Sequence, residues 1–76
     1  MSAGLRECAA GVLRARLAVA NARRHSIAIL VADAPWTEAR FEEVDKAQRV
    51  LAAAERAEHA ALCVYFEASE RERGAL

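Results

Sequence analysis

The chain has 76 residues, 55% of them hydrophobic and 5% aromatic, with three Gly, one Pro and two Cys. Eleven Lys and Arg balance eleven Asp and Glu, so the formal net charge is zero. These figures exclude a disordered chain, which needs fewer apolar residues and more net charge. They also exclude a collagen-like or Pro/Gly-rich segment, a disulfide-stapled miniprotein and a multidomain protein.

The apolar share is mostly alanine, 20 Ala against 7 Leu. A chain of this length buries only about 60% of the surface its unfolded form exposes. An alanine methyl adds little to that burial compared with Leu or Phe. Self-association is the expected remedy.

Taken in order, the first element is a helix over about residues 3–32, with Ser2 available as its N-cap. Strong helix formers fill it, and no glycine occurs between Val12 and Arg73. The segment Ser26–Ala32 also has the composition of a buried β-strand. A lone strand would leave its backbone groups unpaired, so the helix is preferred. At 100° per residue, Leu5, Cys8, Ala9, Val12, Val19, Ala20, Ile27 and Leu30 share one face, with Glu7, Arg14, Asn21 and His25 opposite.

A turn is predicted over about 33–37, because residues preceding Pro35 are driven out of the α region. The second helix follows over about 38–73. Thr37 is its cap, Glu38 sits in its first turn, and Trp36 can pack on Phe41 as a hydrophobic staple. Arg71 and Arg73 mark its last turn, with Gly74 as a left-handed stop. Val44, Ala47, Leu51, Ala54, Ala61, Leu62, Tyr65 and Ala68 form its apolar face. The predicted fold is all-α: an antiparallel two-helix hairpin that dimerises into a four-helix bundle.

Zero net charge conceals a segregation. Residues 1–33 carry five Arg against Glu7 and Asp33, a balance of +3, while residues 34–76 carry six basic and nine acidic residues, a balance of −3. Antiparallel pairing lays a basic helix against an acidic one. With the turn centred on Pro35, Arg16 falls level with Glu55 and within a turn of Glu58. Arg16, Arg23, Glu55 and Glu58 are therefore read as a partly buried ion-pair group that sets register.

Cys8 and Cys63 fall level as well, but Cys63 points away from the core face, so two free buried-type thiols are expected rather than a disulfide. Glu55, His59 and Cys63 lie along one strip of helix 2. That strip lacks a second ligand cluster, and the residue three before His59 is Arg56 rather than the Glu of a Glu-x-x-His motif. Neither metal nor cofactor is expected. A Gly-rich phosphate loop, a nucleophile elbow and a paired-carboxylate cleft are all missing, so no enzymatic role is expected. His25 and Ser26 are adjacent on a helix and point about 100° apart, which rules them out as a dyad. Neither long apolar run approaches the ~18 residues of a membrane span. Glu7, Arg14 and Arg16 interrupt any apolar leader, so a cytoplasmic location is expected.

The remaining signal is apolar surface in excess of what one hairpin can hide. Ile27, Ile29, Leu30 and Val31, with Leu62, Val64, Tyr65 and Phe66, are assigned to an oligomer interface. Trp36 and Phe41 at the tip are candidate contacts to a larger protein. The functional expectation is a small non-enzymatic interaction module, a regulator, adaptor or inhibitor, acting as a homodimer. The alternatives are nucleic-acid binding through the helix 1 arginines (Arg14, Arg16, Arg23, Arg24) beside His25, and a small metal- or ligand-binding bundle.

Overall fold

Helix-forming residues run almost unbroken on either side of Pro35, and the chain folds accordingly. The computed structural model describes residues 3–74. It contains α1, Ala3–Val31, and α2, Glu38–Gly74, of 29 and 37 residues. The two pack side by side as an antiparallel hairpin measuring 60 × 14 × 12 Å. The β-branched run after Ser26 is helical as far as Val31. Ser2 lies outside the described residues. Gly74 is the last described residue of α2 and does not take a positive φ, so it does not act as the left-handed stop that the sequence suggested.

The buried line of each helix alternates steps of three and four. On α1, buried or half-buried positions include Leu5, Cys8, Val12, Ala15, Val19, Ala22, Ser26 and Ile29. On α2 they include Arg40, Val44, Ala47, Leu51, Ala54, Glu58, Ala61, Tyr65, Ala68 and Glu72. This is a seven-residue repeat, the pattern of two helices wound gently around each other.

The repeat corrects the sequence-derived face of α1. A straight helix drifts about 20° per heptad from a seven-residue repeat. Over four heptads that error carried Ile27 and Leu30 into the predicted core, whereas both are exposed. Ala22 and Ser26 are buried in their place, with Ile29 half-buried. The face predicted for α2 falls close to its seam.

Small side chains dominate the contact. Ala47, Ala54, Ala61 and Ala68 recur every seven residues on α2, and Ala15 and Ala22 do so on α1. Such positions let two helix backbones approach closely. Val12, Val19, Ala22 and Ala47 form the buried apolar core, and among the described residues no large side chain is fully buried. Neither helix, among the described residues, is long and apolar enough to cross a membrane.

Candidate functional site

The turn is built from Pro35 outward. Ala34 donates its backbone N–H to the Ala32 carbonyl, and Thr37 donates to the Pro35 carbonyl at 3.1 Å. Thr37 caps α2: its Oγ1 accepts from the Arg40 backbone N–H at 3.3 Å, and its carbonyl accepts from Phe41 at 3.0 Å. Trp36 packs on Phe41 with ring centroids 5.1 Å apart, which is the staple expected from the sequence.

Arg40 does what sequence reasoning missed. An acidic residue at its position would fold back on the cap to complete a capping box. Arg40 instead reaches across to the end of α1. Its Nη2 donates to the carbonyls of Ile29 at 3.1 Å, Leu30 at 3.4 Å and Ala32 at 2.7 Å, while Nη1 donates to Ala34. Its guanidinium stacks 3.8 Å from the Trp36 ring centroid, and the residue is only 7% exposed. The last carbonyls of a helix carry partial negative charge and have no intrahelical donor. α1 has no basic residue in its own last turn, so α2 supplies the cation. Two signals in the sequence mark this: a basic residue three after a capping Thr, and a preceding helix without a terminal cation.

Trp36 and Phe41 are thus partly committed to the turn, although both remain at least half exposed. An open hollow of about 600 Å³ lies at the turn, lined in part by His25, Ile29, Pro35 and Arg40.

Along the shaft the hairpin presents two broad faces. Ala9, Val12, Leu13 and Arg16 of α1 line one groove together with Leu62, Tyr65 and Phe66 of α2. Arg23 and Glu55 meet on the same side, because each lies seven residues from a groove-lining neighbour, Arg16 and Leu62 respectively. The opposite groove is lined by His25, Ile29, Glu43, Lys46, Ala47 and Val50.

The predicted interface set does not share one face. Leu62 and Phe66 belong to the first groove, and by heptad spacing Ile27 falls in line with Leu13 and Leu30 in line with Arg16. Val64 lies fourteen residues, two heptads, from Val50 and so belongs to the opposite side. Val31 is 73% exposed on the outer edge of α1, while Ile29 and Tyr65 are half-buried in the seam. Leu13, exposed in the first groove, was absent from the expectation.

The ion-pair expectation is also corrected. Arg23 and Glu55 approach to 3.6 Å, but their side chains are 61% and 50% exposed, so the pair sits on the rim rather than in the core. The heptad winding carries Arg16 and Arg23 to the flank of the seam. Glu55 pairs with Arg23 rather than Arg16, and Arg16 has no ion-pair partner among the described residues. Glu58 alone of the four occupies a seam position, half-buried. Asp45–Arg49 and Glu70–Arg73 are exposed pairs within α2.

Cys8 and Cys63 are free thiols, Cys8 half-buried and Cys63 exposed, so only the former fits the buried type. His59 Nε2 lies 3.7 Å from the Cys63 sulfur. Glu55 is engaged by Arg23, and no group of three or more metal-ligating side chains occurs among the described residues. The α1 arginines do not form one stripe: Arg14 and Arg16 differ by about 200° around the helix.

No family model, curated protein or solved structure matches the chain.

Proposed function

We propose that this protein is a small non-enzymatic interaction module, a regulator, adaptor or inhibitor, that works as a helical homo-oligomer and docks on a larger protein. One observation carries the reading: ten large hydrophobic side chains are exposed on a hairpin of 72 described residues, several of them contiguous. Monomeric soluble proteins rarely leave contiguous apolar patches uncovered, and such patches mark contact surfaces. The clasped turn supports the same reading, since it holds Trp36 between Arg40 and Phe41 while both rings stay at least half exposed. Aromatic anchors held in one conformation lose little entropy on binding.

The test is affinity capture from the native host by the wild-type chain and by a Trp36→Ala, Phe41→Ala variant. A protein retained by the first and released by the second, at unchanged helicity, is the expected result. Capture that is absent, or indifferent to the tip residues, refutes docking through the tip. A parallel shift assay at low salt separates the nucleic-acid alternative, which requires binding that weakens steeply as salt rises.

A further inference from the structure

The groove face raises a question of occupancy, and its charges choose the answer. We propose that a second copy of this chain covers it, with the two-fold axis parallel to the helices. In that arrangement α1 of each protomer lies on α2 of its partner, and both turns sit at the same end. The inference rests on reading the protein as a helical homo-oligomer and deepens that reading by naming the face that is covered and the orientation of the second copy.

The area requires a cover. The chain exposes 5782 Å², against about 4,600 Å² expected for a folded monomer of 8.3 kDa. The excess, about 1,200 Å², exceeds the roughly 800 Å² each partner contributes to a standard interface. The shape agrees: a Cα radius of gyration of 17.4 Å compares with about 11 Å for a compact domain of this length. A slab 14 × 12 Å in section is a single layer of two helices, and domains are ordinarily built from at least two.

The groove side is the better of the two broad faces. By groove lining and heptad spacing it carries Leu13, Ile27, Leu30, Leu62 and Phe66, four of them exposed. Ala20 and Ala52 lie midway along it and allow close approach. The opposite groove has Val50 and Val64 as its large exposed apolar residues, beside His25, Glu43 and Lys46.

A self-complementary contact on this face has two principal geometries. With the axis running across the helices, α1 lies on α1: a segment of charge +3 meets itself, and Arg16 faces the partner's Arg23. With the axis along the helices, the +3 segment of each copy meets the −3 segment of the other. Arg16, which has no ion-pair partner among the described residues, then lies level with the partner's Leu62 and within about a turn of the partner's Glu58. Around the resulting four-helix bundle the charges alternate. Like charges set opposite one another are strongly disfavoured, so the second geometry is selected.

The test uses the whole chain. Light scattering at micromolar concentration should give twice the 8.3 kDa chain mass. In a background with Cys8→Ser and Cys63→Ser, a mixture of Leu13→Cys and Leu62→Cys chains treated with a short bis-maleimide should yield the mixed cross-linked dimer. A mixture of Leu13→Cys and Ile27→Cys chains should yield little. Arg16→Glu should weaken the dimer at least about tenfold, while Val64→Glu, on the opposite face, should leave the mass unchanged. A monomeric wild type, a dominant Leu13→Cys/Ile27→Cys cross-link, or dissociation by Val64→Glu would overturn the arrangement. A monomer that still captures a host protein through its tip would sink this dimer and leave docking intact. A correct dimer that captures nothing would do the reverse.

Discussion

The two ends of the hairpin are held by different physics. At the turn, one buried arginine places charge-assisted hydrogen bonds on four carbonyls, supported by a capping threonine and an aromatic pair. At the open end, Leu5 and Cys8 meet Ala68 across a groove, and Leu13 and Phe66 remain exposed. Directional polar contacts finish a structure within a single chain, because each donor has a defined acceptor. Apolar contacts between small side chains do not, and they leave Leu13 and Phe66 uncovered at the open end.

The sharpest way to break this contrast is to remove the clasp. Arg40→Ala leaves the α1 carbonyls without their donor and is expected to cost about 3 kcal/mol by chemical denaturation. Arg40→Lys keeps the charge but loses the planar fork, and is expected to cost about half as much. Overfilling the seam is expected to come next. Ala54→Leu forces apart helices packed on small residues and should destabilise by about 1–3 kcal/mol, with the open end losing amide protection first in hydrogen exchange. Thr37→Ala removes the α2 cap at a cost of about 1 kcal/mol. The rim pair is the smallest term: Arg23→Ala should change stability by less than about 0.5 kcal/mol, since both partners are largely solvated.

Much of this contrast was legible in the sequence, though unevenly. Pro35, Thr37, Trp36 and Phe41 announce the turn because each acts on its immediate neighbours. The helices announce themselves through composition, rich in Ala, Leu, Arg and Glu on either side of Pro35. The packing face of α1 was legible only in its first half. A wheel of 3.6 residues per turn describes an isolated helix, whereas a helix in contact with another follows the 3.5 repeat, and the difference accumulates until Ile27 replaces Ser26. The ion pair was misplaced for the same reason, since Arg16 and Arg23 rotate out of the seam with the winding. Arg40 was overlooked because its partners are backbone carbonyls six to eleven residues away, which no side-chain pattern records.

The alanines of α2 carry one more consequence. A track of identical teeth seven residues apart is nearly indifferent to being shifted by one repeat, because Ala54 presented to α1 looks much like Ala61. Nothing in such a track specifies where the two helices should stop sliding. The guanidinium of Arg40 is the stop: it seats only when the end of α1 arrives at one height. Without it, the chain should sample slipped hairpins and opened forms in which α1 zips onto the α2 of another molecule. The Arg40→Ala protein is therefore expected to show mixed, concentration-dependent oligomers rather than only a lower midpoint of unfolding.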